Sequence, residues 1–121
     1  LVVIGLGGND GLRGVPIAEL ERNLRTMVER SRAAGARVLL LGIRIPENYG
    51  PYADELAALY PALAEELGTA FVPFYMEGVG LVPELNLADG LHPNPEGHER
   101  LADAIEGALG AALDALAADE E

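Results

Sequence analysis

Apolar residues along this chain alternate between two kinds of spacing. Leu1-Val2-Val3-Ile4-Gly5-Leu6 and Val38 to Ile43 are continuous apolar runs, and Ala70 to Phe74 is a shorter one. Continuous runs bounded by turn residues predict strands buried on both faces, the kind that fill a parallel sheet. Between them the spacing becomes helical. Ile17, Leu20, Leu24, Met27 and Val28 share one face, with Glu19, Glu21, Arg22, Arg25 and Glu29 on the others. This predicts a helix that opens at Pro16 and is capped by Gly35. A second helix covers Tyr52 to Leu67, with Pro61 as a kink inside it and Gly68 as its stop. A third begins at Pro95, with Asn94 as N-cap, Glu96 at the positive end of the dipole, and Leu101, Ile105, Leu109, Leu113 and Leu116 as its stripe. Gly11 to Val15, Arg44 to Pro51 and the stretch from Gly78 to Asn94 read as loops.

Strand and helix therefore alternate three times, which predicts an α/β fold with a parallel sheet in one layered domain, residues 1–121. Three strands leave two edges. The first two runs lack the alternation of an exposed edge, so each calls for a neighbour on both sides. An apolar parallel edge left open is a template for self-association. The chain also starts at Leu1, without methionine and already inside a strand. Either a tag or leader was removed or this is a piece of something longer, and the open edge independently supports a missing neighbour strand for Leu1–Leu6. No targeting segment is visible.

Composition narrows the function. A chain of 121 residues, half of them hydrophobic, suffices for one domain with a real core. No run of about 20 apolar residues occurs, so no membrane span is expected. The absence of cysteine excludes disulfides, thiolate nucleophiles and sulfur-ligated metals, and the absence of lysine excludes Schiff-base chemistry. A net charge of −12 argues against nucleic acid, whose binding needs a cationic surface. The acidic residues lie on helices and in the tail Asp119-Glu120-Glu121, as a solubilising surface would have them.

The candidate chemistry lies where strands end. Gly7-Gly8-Asn9-Asp10 follows the first run, at the carboxyl end where parallel sheets gather ligand groups. The glycines leave room for a ligand, and the Asn9 amide can donate two hydrogen bonds. Of the two histidines, His92 follows Asp89 by three residues, with Gly90 between. The Asp89 carboxylate can then hold one imidazole nitrogen, fix the tautomer and stabilise the imidazolium. Alternatively, Asp89 forms only an Asx-turn and His92 is an ordinary loop residue. His98 falls one turn into the last helix, as a partly exposed helix residue. The histidines are six apart, not the i, i+4 pair of a helical zinc site, and no metal cluster is predicted. Asp10 stands where a dinucleotide loop needs its third glycine, and no Gly-Lys-Ser/Thr exists for a P-loop. A glycosidase pair of Asp10 and Asp89 stays open on sequence alone.

Taken together, two segments are far more specific than either alone. Leu6-Gly7-Gly8-Asn9-Asp10-Gly11-Leu12-Arg13-Gly14 closely resembles the third conserved block of SGNH (GDSL-type) hydrolases, and Asp89-Gly90-Leu91-His92-Pro93-Asn94 resembles their final block. Arg44 to Gly50 and Pro73 to Met76 are similar to connecting segments of the bacterial acyl-CoA thioesterase I, lysophospholipase L1 and arylesterase group. The resemblance covers nearly the whole chain in order. It implies a three-layer flavodoxin-like fold and hydrolysis of acyl esters or thioesters by a Ser-His-Asp triad, with no metal or other cofactor. Asn9 then matches the oxyanion-hole asparagine, His92 the general base and Asp89 the carboxylate that orients it. Gly8, Arg44, Pro46, Tyr49 and Leu91 would border the substrate, although ordinary loop packing accounts for the last four equally well. Family members are often periplasmic or secreted.

The departure is equally informative. The family's first block, which carries the nucleophilic serine, and its second, whose glycine is another oxyanion donor, have no counterpart. The single serine, Ser31, sits in the helix before the second strand, on the wrong side of the sheet; Thr26 is mid-helix and Thr69 precedes the third strand. The expectation is the carboxyl-terminal part of an SGNH hydrolase domain, lacking the amino-terminal strands and inactive alone. The alternative is a non-catalytic module that binds acyl groups or a partner and retains the old site residues.

Overall fold

The computed structural model describes residues 1–73, 82–89 and 92–120. Among these, the elements in order are β1 (Val2–Ile4), α1 (Gly8–Leu12), α2 (Ile17–Ala33), β2 (Val38–Leu41), α3 (Pro51–Leu67), β3 (Ala70–Val72) and α4 (Pro95–Glu120). Short 3-10 turns at Glu47–Tyr49 and Pro83–Leu85 precede α3 and α4. The strands form a parallel sheet in the order β1-β2-β3, with Ile4 opposite Leu40 and Leu41 opposite Val72.

Side chains alternate across this sheet. Val38 and Leu40 join Ile4 under Leu20, Leu24 and Val28 of α2 and Leu56, Tyr60 and Leu63 of α3. Leu39, Leu41 and Val72 face the other way, onto Ile105, Ala108 and Leu109 of α4. The result is the α/β three-layer arrangement, with three main helices and the larger core on the α2/α3 side. Arg25 ties α2 to Glu66 of α3 at 2.9 Å, and this bond holds the Glu66 carboxyl below its usual range. Both groups are on the surface, so the pair contributes little to stability.

Four expectations need correction. The Leu1–Leu6 strand is not buried on both faces: it is an edge, where Val2 and Val3 remain 37% and 42% exposed while β2 is buried throughout. Residues 11–15 are not all loop, because Gly8–Leu12 forms α1. The loop after β2 contains its own 3-10 turn. The α4 stripe holds at Leu101 but fails at Leu113, which is 47% exposed. At 1.5 Å per residue, a 26-residue helix outruns strands of three or four residues, so its far end has no sheet to cover. α3 runs through Pro61 without interruption. Phe74, the expected end of β3, lies outside the described residues, as does the side chain of Leu116.

Candidate active site

The chemistry named above follows the carboxyl ends of the strands in chain order: Asn9 in α1 after β1, Arg44 in the loop after β2, and Asp89 and His92 later in the chain than β3. The course of α4 agrees. Its Ala112 and Ala115 border the same hollow as Leu1, Arg37, Val38 and Ala70, at the amino ends of the strands. The start of α4, joined to His92 through Pro93 and Asn94, therefore lies toward the carboxyl ends.

Asp89 and His92 meet directly. Asp89 Oδ2 lies 2.6 Å from His92 Nδ1, and the backbone N–H of His92 donates to Asp89 Oδ1 at 3.0 Å. The carboxylate makes two contacts at once: one oxygen shapes the turn and the other holds the ring. With Nδ1 bonded to the carboxylate, Nε2 is the nitrogen left to take a proton. Both side chains are about half exposed, at 44% and 58%.

The loop carrying this pair is pinned from below. The Leu87 N–H donates to the His92 carbonyl at 2.7 Å, Asn86 bridges Pro93, and the Asn94 N–H donates to the Leu85 carbonyl at 2.9 Å. Asn94 does more than cap: Oδ1 accepts the Gly97 N–H at 2.9 Å while Nδ2 donates to the Glu84 carbonyl at 2.8 Å. Gly97 admits no side chain, since a Cβ would sit 2.1 Å from the Leu85 oxygen. Replacing Asn94 by alanine removes a helix cap and a loop tie together. The expected result is a loss of about 1–2 kcal/mol, read as a lower urea midpoint.

Asn9 is exposed, as the second residue of α1. Gly7 gives the chain its entry into that helix at φ 119°, in the region closed to most side chains, and its Cβ position is already taken by the Tyr60 hydroxyl at 1.8 Å. Gly11, two residues after Asn9, is buried, and a Cβ there would lie 2.6 Å from Leu56. Residues two apart on a helix point to nearly opposite sides. α1 therefore rests on Leu56 through Gly11 and presents Asn9 outward. Gly8 lies against Ile43 but is not crowded, a Cβ meeting it at 3.9 Å.

The remaining candidates are spread along the loop after β2. Arg44 is exposed, Pro46 is half-buried at the start of the 3-10 turn, and Tyr49 donates its hydroxyl to the Leu12 carbonyl at 3.1 Å. This brings the segment against the end of α1. Leu91 and Gly90 lie outside the described residues. His98 is exposed on α4, as expected. Ser31 and Thr26 donate to the Met27 and Arg22 carbonyls within α2, and Thr69 precedes β3 at the amino end of the sheet. Among the described residues, no three His, Asp or Glu side chains gather as metal ligands would. No described helix is long and apolar enough to cross a membrane.

Residues 1–100 match the GDSL-like lipase/acylhydrolase family. The chain belongs to that family. Within this GDSL family it is 51% identical to esterase TesA of Pseudomonas aeruginosa over 106 residues, 87% of this chain and 53% of that protein. It is 44% identical to thioesterase 1/protease 1/lysophospholipase L1 of Escherichia coli K12 over 103 residues, 84% of this chain and 50% of that one. A crystal structure of TesA superposes with a TM-score of 0.87 at 49% identity, over 93% of this chain and 63% of the other. The chain spans about half the length of the curated relatives it matches.

Sequence reading missed what holds residues 6–15 in place. Tyr60 donates its hydroxyl to the Leu6 carbonyl at 2.8 Å, and Tyr52 donates to the Val15 carbonyl at 2.5 Å. Burial raises the Tyr52 phenol above its usual range, with the Asp10 charge adding, so it stays a donor at neutral pH. No sequence signal separates these tyrosines from ordinary core residues.

Proposed function

We propose that this chain supplies the acid–base pair and one oxyanion donor of a serine hydrolase acting on acyl esters or thioesters. Its residues form the carboxyl-terminal part of the catalytic domain, and the nucleophilic serine lies on a segment beyond these 121 residues. The single observation that carries the reading is the Asp89–His92 contact, made through both carboxylate oxygens. The names of the relatives, an esterase and a thioesterase/lysophospholipase, support the substrate class.

Chemically, the serine hydroxyl attacks the acyl carbonyl while His92 Nε2 takes its proton. Asp89, on the other ring nitrogen, stabilises the imidazolium. The Asn9 amide donates to the oxygen that becomes negative, and its bond strengthens as that charge grows. His92 then returns the proton to the departing alkoxide or thiolate, and water repeats the cycle on the acyl-serine. Gly8, Arg44, Pro46, Tyr49 and Leu91 border the acyl group; the uncrowded surroundings of Gly8 suit a carbonyl approaching there.

The open side of β1 suits the serine-bearing segment. Val2 and Val3 stand exposed there, while their partners Val38 and Leu39 on β2 are buried. A strand laid along this edge would cover what remains open of both, worth roughly 0.5–1 kcal/mol for each side chain. A fluorophosphonate probe tests the reading. The 121-residue chain is expected to remain unlabelled and to hydrolyse neither p-nitrophenyl acyl esters nor acyl-CoA. Joined to the coding sequence upstream of Leu1, it is expected to label stoichiometrically and to turn over. Labelling of the short chain would show that the nucleophile lies within it; absence of labelling in the extended chain would end the serine-hydrolase reading.

A further inference from the structure

We propose that Tyr60, with Tyr52 at the other end, is a positioning residue for Asn9: their hydroxyls clamp the two ends of the segment on which Asn9 stands. The proposal rests on the reading of Asn9 as an oxyanion donor.

Tyr60 is wholly buried in the α2/α3 core. Its ring could be replaced there by that of phenylalanine, and a buried hydroxyl is costly unless it is bonded. It is bonded to a backbone atom of particular consequence. The Leu6 carbonyl is the last one before Gly7, the residue whose left-handed φ turns the chain into α1. The turn is pressed onto the hydroxyl so closely that glycine alone fits.

α1 has five residues, too few to hold a helical direction unaided. Its orientation is inherited from what grips it. At the entrance this is the Tyr60–Leu6 bond, and underneath it is Leu56 and Ile45 against Gly11. At the exit Tyr49 holds the Leu12 carbonyl, and beyond it Tyr52 holds the Val15 carbonyl. Three tyrosines from one stretch of chain, residues 49–60, thus span the segment from Leu6 to Val15. Misplacing a catalytic group by about 1 Å can lower a rate by about a hundredfold, so a donor on so short a helix depends on its anchors.

The test uses Tyr60→Phe and Tyr52→Phe, each measured in two ways. In the 121-residue chain, amide hydrogen exchange is followed by NMR at Gly11 and Arg13, whose N–H groups bond to the Gly7 and Asn9 carbonyls. Both amides are expected to exchange about tenfold faster in Tyr60→Phe, as loss of one net hydrogen bond allows, with Leu39–Leu41 of β2 unchanged. In the chain extended to include the serine, kcat on p-nitrophenyl butyrate is expected to fall about tenfold at constant KM and unchanged pH profile, since His92 is untouched. Tyr52→Phe, outside the innermost core, should give the same pattern more weakly and keeps the test open if Tyr60→Phe does not fold. Unchanged kcat in both variants of an active parent overturns the positioning role. So does exchange that quickens equally in β2, which would mark a loss of core stability alone. A parent without hydrolytic activity refutes the serine-hydrolase reading instead, and local exchange at Gly11 and Arg13 then judges the clamp by itself.

Discussion

Replacing His92 by alanine in the chain extended to carry the serine is expected to lower kcat by about 10⁴–10⁶-fold, with fluorophosphonate labelling slowed in step. The size follows from how much passes through one imidazole. It must take the serine proton, hold it as charge develops and deliver it to the leaving group, and the other histidine, His98, stands exposed on α4. Asp89→Asn should fall less far, by about 10⁴-fold. The amide can still accept the His92 N–H and keep the turn, but it no longer stabilises an imidazolium and can present a donor to Nδ1. Steady-state rates with p-nitrophenyl butyrate decide the matter. A His92→Ala enzyme within tenfold of the parent would remove His92 from the reaction.

How far the sequence could be read depended on whether the information was local. Asp89 and His92 were legible because three residues of spacing and a glycine let one loop bring carboxylate to ring. The wall of β2 was legible because four apolar residues in a row leave no polar face. The first strand read as buried on both faces and as calling for a further neighbour, since composition states what a strand prefers; no described strand fills that place. In the fold it is an edge, with Val2 and Val3 partly open. α1 was missed for a different reason. Gly8-Asn9-Asp10-Gly11 has poor helix propensity, and the turn forms because Gly11 seats on Leu56 and Ile45 while Tyr60 holds its entrance. Such a helix is made by tertiary contact. Tyr60 itself was hidden in plain view: by spacing it belongs to an apolar stripe, and its hydroxyl finds Leu6 across 54 residues of chain.

Asn9→Ala in the same extended chain is expected to lower kcat by about 10²–10³-fold while KM changes little. The side chain is exposed, and α1 is gripped through backbone carbonyls and Gly11, none of which the substitution touches. The backbone bond from the Arg13 N–H to the Asn9 carbonyl also survives in alanine. Stability should therefore stay within about 0.5 kcal/mol of the parent. A large fall in kcat without a matching change in melting separates a group that works in the transition state from one that merely holds the fold. The contrast with Tyr60→Phe then becomes diagnostic. Asn9→Ala deletes the donor, so its loss in kcat should be the larger and should leave exchange at Gly11 unmoved. Tyr60→Phe keeps the donor and loosens its footing, so its smaller loss should come with faster exchange there. Equal kcat for parent and Asn9→Ala would remove Asn9 from the oxyanion hole and leave α1 a structural turn.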